Sequence, residues 1–246
     1  MGESWSDALR RLGAAQKGHA RGAPAYSVYV NRRLGRVLAA TAYVWGLSPN
    51  AVTVISAVFT FSGIALLCLA PPTPMLGLAI ALLLVIGYAW DSADGQLARL
   101  QGGGTVAGEW LDHFVDAIKI ASLHLAVLVG LFRFSDLASP WLLIPIGFSV
   151  VAVVTFFGML LNDLLKGKRG VASTHHRGGG TLRRSLLLLP TDFGILCLVF
   201  VLWGAPELFL AAYGVVFLLC SGFLVLAAVK WFREMRALDR DALSDR

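Results

Sequence analysis

The stretch "DSADGQLARLQGGGTVAGEWLDHFVD", residues 91–116, places four aspartates and a glutamate directly after the apolar run "LGLAIALLLVIGYAW". An ionised side chain inside a bilayer costs at least about 2.5–3.5 kcal/mol on insertion scales. Several carboxylates in one place also repel one another, so they need either raised pKa values or bound cations. This stretch therefore indicates both a membrane-embedded fold and a site whose carboxylates hold protons or cations.

The composition indicates an integral membrane protein. Of the 246 residues 57% are hydrophobic and only 15% are charged, whereas a soluble domain carries about 25% charged residues. The mean hydropathy is +0.71. Segments of about 20 apolar residues are long enough to cross a bilayer. Six such segments predict an all-α protein with six transmembrane helices, near 51–70, 74–97, 105–132, 140–164, 186–204 and 206–232.

The segments before the first span have a different pattern. Residues 28–47 carry arginines on one side (Arg32, Arg33 and Arg36) and apolar residues on the other (Leu34, Val37, Leu38 and Trp45). This pattern is typical of an amphipathic helix that lies in the membrane interface. Residues 1–27 are polar and basic and lack the apolar segment of a signal peptide. We expect them to be a partly disordered cytoplasmic arm, followed by one membrane domain over 28–246 whose tail is 233–246.

The distribution of basic residues predicts the orientation. With the N-terminus in the cytoplasm, six spans put all but two of the 21 Lys and Arg on the cytoplasmic side, the exceptions being Lys119 and Arg133. This is a strong positive-inside bias, and it predicts a cell inner membrane protein with a cytoplasmic site. Topology and anionic headgroups explain the net charge of +6, so no nucleic-acid partner is expected. The three cysteines, Cys68, Cys197 and Cys220, lie in apolar runs and are expected to pack as small hydrophobic residues.

The spacing of the aspartates predicts one shared site. Asp91 and Asp94 are three residues apart, and Asp112 and Asp116 are four apart, so each pair shares a helical face. The turn "QGGG" lets the two helices direct these pairs at one another. Clustered oxygen ligands favour hard cations, here two Mg²⁺ or Mn²⁺ ions. The alternative is a water-filled cation or proton path of a transporter, although no repeat of the kind found in transporters is visible.

The same residues form the pattern D-x2-D-G-x2-A-R-x8-G-x3-D-x3-D, without a mismatch. This pattern resembles the signature of the CDP-alcohol phosphotransferase family, membrane enzymes of phospholipid synthesis. The resemblance implies that a CDP-linked donor passes its phosphoryl-alcohol group to a hydroxyl while CMP leaves. It also implies an interfacial helix with six spans, a homodimer, and a dinuclear metal site. By position, Asp91, Asp94 and Asp112 are metal ligands, and Asp116 is general base and ligand.

The resemblance further implies a nucleotide site. Its expected residues are Asp91, Gly95, Ala98, Arg99 and Gly108, together with Asn50 and Thr53 of the "SPNAVTVIS" segment, which matches the family's P-N-x-x-T. The last two have a local alternative. Asn50 can cap a helix, and Thr53 can hydrogen-bond within the first turn.

The acceptor contacts are predicted from basic residues, which a phosphorylated acceptor such as inositol phosphate or glycerol phosphate requires. The candidates are Lys119, Lys166, Lys168, Arg169, Arg177, Arg183 and Arg184. The alternative for the loop 166–184 is topology and headgroup contact, and for Lys119 it is pairing with a carboxylate of the site. Asp192 is expected either to cap a helix or to contact a polyol. Glu109 and His113 are not motif positions and are left outside the site.

Two donor classes remain open. The segment "GEWLDHFVD" is similar to eukaryotic choline and ethanolamine phosphotransferases, which use a CDP-alcohol and diacylglycerol. The short chain and compact layout resemble prokaryotic enzymes that use CDP-diacylglycerol, although the "K-x-R-A-E" pattern expected of a phosphatidylinositol-phosphate synthase is missing. We predict transfer of a phosphatidyl group from CDP-diacylglycerol to a small polar alcohol, with or without a phosphate. A catalytically silent lipid-binding relative is a third alternative, which the complete set of aspartates disfavours.

Overall fold

The computed structural model describes residues 4–14, 23–171 and 181–244, and these residues form helices with no strand among them. The predicted all-α class is confirmed. The α-helices are α1 (Trp5–Ala14), α2 (Arg32–Val44), α3 (Pro49–Leu69), α4 (Pro74–Leu100), α5 (Val106–Phe134), α6 (Leu143–Lys168), α7 (Leu182–Leu187), α8 (Phe193–Val199) and α9 (Pro206–Ser244). A π-helical turn (Ser27–Asn31) precedes α2, and 3-10 turns lie at Ser139–Leu142, Leu189–Thr191 and Phe200–Gly204.

Five helical segments of the described chain are long and apolar enough to cross a membrane: α3, α4, α5, Ser139–Lys168 and Pro206–Arg240. The six-span count is not confirmed, because the predicted span 186–204 is divided into shorter pieces. Its longest apolar helix is Phe193–Gly204, which is shorter than the roughly 20 residues of a full crossing. Proline disfavours continuation of a helix, and Pro190 lies in the 3-10 turn that separates α7 from α8.

The long helices begin where hydroxyl side chains and prolines mark a helix start. Ser48, Thr73 and Thr105 are the N-cap residues of α3, α4 and α5, and each side chain accepts a hydrogen bond from a backbone N–H three residues later. Proline follows the first two caps, where its missing N–H costs nothing. The local alternative that Asn50 caps a helix is therefore wrong, because Ser48 caps α3 and Asn50 lies in the first turn.

The helix predicted over residues 28–47 is present as the π-helical turn and α2, and its interfacial position stays a prediction. Its buried positions are small residues, including Gly35 and Ala39, and α2 packs against α4. Its large apolar side chains point outward instead: Leu34 is 44% exposed, Val37 42% and Trp45 67%. Small residues allow the close approach to α4, while the outward apolar face suits a helix that lies against lipid.

The N-terminal arm differs from its expectation over residues 5–14, which form α1 rather than a solvated tail. Ala8 and Leu12 are fully or almost fully buried in a cluster with Trp90 and Leu97 of α4. The Arg11 guanidinium also donates a hydrogen bond of 3.4 Å to the carbonyl of Leu100 at the end of α4. Residues 5–14 have the periodicity of an amphipathic helix, with Ala8 and Leu12 on the buried side and Asp7, Arg10 and Arg11 elsewhere on the helix, and the apolar surface that covers this side is contributed by α4.

Two apolar cores hold the helices in place. One core, on the far side of the bundle, is rich in aromatic residues and includes Phe200, Trp203, Phe209 and Tyr213. The second core lies between α1, α2, α3 and α4 and uses smaller residues, among them Val52 and Ala93. The cysteines pack within or against the first core, as expected. The second core contains the α4 residues that neighbour the acidic motif, so it sets the position of that motif.

Candidate metal and nucleotide site

The carboxylates of α4 and α5 converge at one place. Oxygen atoms of Asp91, Asp94 and Asp112 all lie within 4.8 Å of one another. A second group within the same distance consists of Asp112, His113 and Asp116. Asp94 is buried and the other three aspartates are half-buried. Because Asp112 belongs to both groups, the structure assembles the two predicted half-sites into one continuous acidic cluster.

The turn between α4 and α5 explains how the two helices reach this arrangement. Gly102 and Gly103 have φ values of 101° and 131°, a region that residues with a side chain rarely adopt. The N–H of Gly103 donates a hydrogen bond of 2.8 Å to the carbonyl of Ala98 and so closes the end of α4. The predicted glycine turn is therefore present, and it reverses the chain within a few residues.

Thr53 makes the hydrogen bond predicted within the first turn of α3 and also contacts the acidic cluster. Its hydroxyl lies 3.2 Å from the carbonyl of Pro49 and 2.8 Å from a carboxylate oxygen of Asp94. The residue is 3% exposed. Thr53 therefore orients Asp94 from α3, and its contact with the site runs through that carboxylate.

Asn50 and Gly108 lie opposite each other on α3 and α5. A Cβ atom at position 108 would come within 3.0 Å of the Asn50 side-chain oxygen, so the absence of a side chain there permits this approach. Asn50 is exposed, and it lies across from the N-terminal turn of α5.

The other motif residues of α4 lie beside the acidic cluster. Gly95 and Ala98 are half-buried, whereas Arg99 is exposed. A guanidinium nitrogen of Arg99 lies 3.6 Å from the place where a Cβ of residue 95 would be. The arginine thus folds back along α4 towards Asp94, and the small residues leave space next to it.

Lys119 is paired with the site. Its ammonium lies 2.5 Å from an oxygen of Asp91, 3.3 Å from one of Asp116 and 3.1 Å from the Ser56 hydroxyl. The residue is 7% exposed. The alternative that Lys119 pairs with a carboxylate of the cluster is confirmed, and α3, α4 and α5 meet at this one amino group.

The other predicted acceptor residues lie apart from these contacts. Lys166 is buried and donates a 2.7 Å hydrogen bond to Glu234 of α9. Lys168, Arg169 and Arg183 are exposed at the end of α6 and in α7. Arg177 and the side chain of Arg184 lie outside what the structure describes. An acceptor role for this set stays a prediction.

Asp192 has the capping role that was one of its two interpretations. It is the N-cap of α8, where its side chain accepts a 2.9 Å hydrogen bond from the N–H of Gly194. The same carboxylate accepts a 2.7 Å bond from the N–H of Ser27. It is buried, and it ties the turn before α2 to α8.

His113 lies beside the acidic cluster, although it is not a position of the sequence motif. It lies within the group of potential ligands formed with Asp112 and Asp116, and its Nδ1 is buried with no hydrogen-bond partner among the described residues. With Glu109 it lines an apolar groove of about 730 Å³ between α5 and α6. The available signal was its spacing of three residues from Asp116, which places both on one helical face.

The donor set fits a hard divalent cation. Carboxylate oxygens on closely spaced side chains are the ligands that Mg²⁺ and Mn²⁺ prefer, and this cluster brings three such side chains within 4.8 Å. Asp91, Asp94 and Asp112 would hold one ion, and Asp116 is the fourth carboxylate available to the site.

The sequence pattern of the family described as CDP-alcohol phosphatidyltransferase matches residues 46–232. No protein with a curated description matches the chain. The fold is similar to phosphatidylinositol phosphate synthase (PgsA1) of Mycobacterium tuberculosis with CDP-DAG bound, at 19% identity and a TM-score of 0.53 over 82% of this chain and 94% of that one. A structure of the same enzyme with manganese and citrate is 22% identical over 82% and 89%, with a TM-score of 0.49.

The family match covers well over half of the chain and includes every position of the acidic motif. The structure agrees with it, since the described chain has five helical segments of membrane-spanning length, and two of them, α4 and α5, bring the carboxylates of that motif together. The protein therefore belongs to the CDP-alcohol phosphatidyltransferase family and is a membrane-embedded CDP-alcohol phosphotransferase.

Proposed function

We propose that the protein transfers a phosphatidyl group from CDP-diacylglycerol to the hydroxyl of a small polar alcohol and releases CMP. The observation that carries this proposal is the convergence of the motif carboxylates, with oxygens of Asp91, Asp94 and Asp112 within 4.8 Å of one another. The family description, which names a phosphatidyl group as the one transferred, favours CDP-diacylglycerol as the donor. We propose two divalent ions, Mg²⁺ or Mn²⁺, as the cofactor.

Different residues of the site bind the metal ions, orient a metal ligand and bind the nucleotide. Asp91, Asp94 and Asp112 would hold one cation, and Asp112 and Asp116 would hold the second. Thr53 keeps Asp94 in place through its 2.8 Å bond. When bound, the divalent ions neutralise the carboxylates and polarise the donor's diphosphate. The open side of α4 at Gly95, Ala98 and Arg99 receives the cytidine and phosphate groups, and exposed Asn50 contacts the nucleotide from α3.

Asp116 accepts the proton of the acceptor hydroxyl. As the new bond forms between the acceptor oxygen and the lipid-linked phosphorus, the bond from that phosphorus to the CMP oxygen breaks. The proton passes to the Asp116 carboxylate, which lies on the same face of α5 as Asp112. A positioned carboxylate of this kind typically contributes about 10²–10⁴ in rate.

The acceptor is proposed to be a polyol, with its polar group directed to the basic end of α6 and α7. Lys168, Arg169 and Arg183 are exposed there and are suited to a phosphate or to lipid headgroups. We further propose a homodimer in the cell inner membrane with the site on the cytoplasmic side, which rests on the family resemblance and on the positive-inside bias.

The test is a reconstituted reaction. Purified protein is incubated with CDP-diacylglycerol, Mn²⁺ or Mg²⁺, and a panel of alcohols that includes inositol, glycerol and their phosphates. We expect CMP release that requires both a metal and one alcohol, and a new phospholipid whose mass identifies that alcohol. Asp116→Asn is the matched control and should release CMP about 10²–10⁴ times more slowly.

A parallel reaction separates the donor classes. CMP release from CDP-choline and diacylglycerol, with none from CDP-diacylglycerol, would replace the proposed donor by a CDP-alcohol. Cation flux into liposomes in the absence of nucleotide, with no CMP release from either donor, would overturn the transferase and support a transporter.

A further inference from the structure

We propose that Lys119 is an internal counter-cation of the acidic cluster, which competes with divalent ions for Asp91 and Asp116 and thereby sets the metal affinity of the site. This inference rests on the proposed metal-dependent function and deepens it. Motif positions supply the carboxylates, whereas Lys119 is not part of the motif. It lies three residues beyond the last aspartate.

The contacts of Lys119 account for all the donors of its ammonium. An ammonium has three N–H groups, and the Nζ of Lys119 has three partners, namely Asp91 at 2.5 Å, Ser56 at 3.1 Å and Asp116 at 3.3 Å. A phosphate of the acceptor can bind this group only by displacing one of these partners. The geometry thus favours a counter-cation over the acceptor contact that the sequence left open.

Ser56 fixes the direction of this amino group. The Ser56 hydroxyl donates a 2.9 Å hydrogen bond to the carbonyl of Gly87, which leaves its lone pairs for Lys119. Ser56 is fully buried and Lys119 is 7% exposed. The ammonium is therefore held in one place by α3, and it lies between Asp91 of α4 and Asp116 of its own helix.

Lys119 competes with metal ions, because the two carboxylates that it contacts are also potential metal ligands. Asp91 belongs both to the group that can hold a metal ion, with Asp94 and Asp112, and to the contacts of Lys119. Asp116 likewise belongs to the second such group and to Lys119. A fixed positive charge beside shared ligands repels an incoming cation, and it also neutralises part of the cluster when fewer cations are bound.

The test compares Mn²⁺ binding and thermal stability in the purified full-length chain. In Lys119→Met we expect Mn²⁺, measured by the EPR signal of the free ion, to bind at least tenfold more tightly than in the wild type. We also expect this variant to melt at a lower temperature than the wild type in EDTA, and saturating Mn²⁺ to remove most of that difference. Lys119→Arg, which keeps the charge, should bind Mn²⁺ within about threefold of the wild type.

Lys166→Met is the matched control, because Lys166 is a second buried lysine paired with a carboxylate. Its loss of melting temperature should be the same in EDTA and in Mn²⁺. If the Met variant does not fold, Lys119→Gln prepared in Mn²⁺ takes its place, since its amide can donate a hydrogen bond but carries no charge.

Three results would overturn the proposal: unchanged or weaker Mn²⁺ binding in the neutral variants, a stability loss that Mn²⁺ does not reduce, or failure of both neutral variants to fold in Mn²⁺. If the wild type itself binds no Mn²⁺, the metal-dependent function fails and this inference with it. If the wild type binds Mn²⁺ and the Lys119 variants bind it equally well, only the inference fails.

Discussion

Two buried lysines lie in clusters of opposite charge balance. Lys119 faces a cluster of four aspartates, two of which it contacts directly. Lys166, between α6 and α9, lies 2.7 Å from Glu234, a carboxylate that also has Lys230 at 3.5 Å and the Asn162 amide at 3.3 Å. The first cluster has four carboxylates and one ammonium, so it can bind a further cation, whereas the second has two ammonium groups around one carboxylate and joins α6 to α9.

The largest expected effect comes from the chemistry of the acidic cluster. Asp116→Asn removes the proposed proton acceptor while preserving the shape of the side chain. We expect the rate of CMP release to fall by about 10²–10⁴, the range typical of general base catalysis. The measurement is a turnover assay at saturating metal and donor, with size-exclusion behaviour and melting temperature as the control for folding. Turnover within a few-fold of the wild type would remove Asp116 from the role of base.

The second effect concerns the partner that orients Asp94. Thr53→Val keeps the volume nearly unchanged but removes the 2.8 Å hydrogen bond to this carboxylate. Groups that orient metal ligands typically contribute about 10–100-fold to metal affinity. We therefore expect the Mn²⁺ concentration for half-maximal CMP release to rise by that factor.

The same titration separates the two roles of Thr53. If Thr53 contacts the nucleotide instead, the KM for CDP-diacylglycerol will rise and the Mn²⁺ requirement will stay as in the wild type. Thr60→Val, on the same helix α3 but outside the described contacts of the cluster, is the matched control and should leave both quantities near their wild-type values.

The smallest effect on chemistry is expected in the second cluster. Glu234→Gln removes the charge that faces Lys166 and leaves this buried ammonium with a weaker acceptor. Hydrogen bonds to charged groups contribute about 1.5–3 kcal/mol, and partial exposure of Glu234 reduces this, so we expect a loss of about 1–2 kcal/mol in the free energy of unfolding. The melting temperature should fall by the same amount with and without Mn²⁺. A shifted Mn²⁺ requirement for CMP release would show that the two clusters are coupled.

The predicted and observed helices differ where a helix-breaking or helix-capping residue lies within an apolar segment. The apolar segments that became α3, α4, α5, α6 and α9 were predictable, because length and hydropathy alone define a membrane-spanning helix. The segment 186–204 has a suitable composition but contains Pro190 and Asp192, and the second of these caps a new helix at α8. Hydropathy averaged over a window does not register such breaks. The packing of α1 was missed because it depends on Trp90 and Leu97, which lie far away in the chain.

The sequence by itself determined which residues form the acidic cluster. Spacings of three and four residues on two helices joined by a glycine turn leave few other ways to arrange the aspartates. Only the tertiary structure decided which partners those aspartates have. Thr53 and Ser56 of α3 contact the cluster, and Lys119 of α5 pairs with Asp91 of the neighbouring helix α4. Helical periodicity relates residues within one helix, whereas contacts between helices depend on how the helices pack.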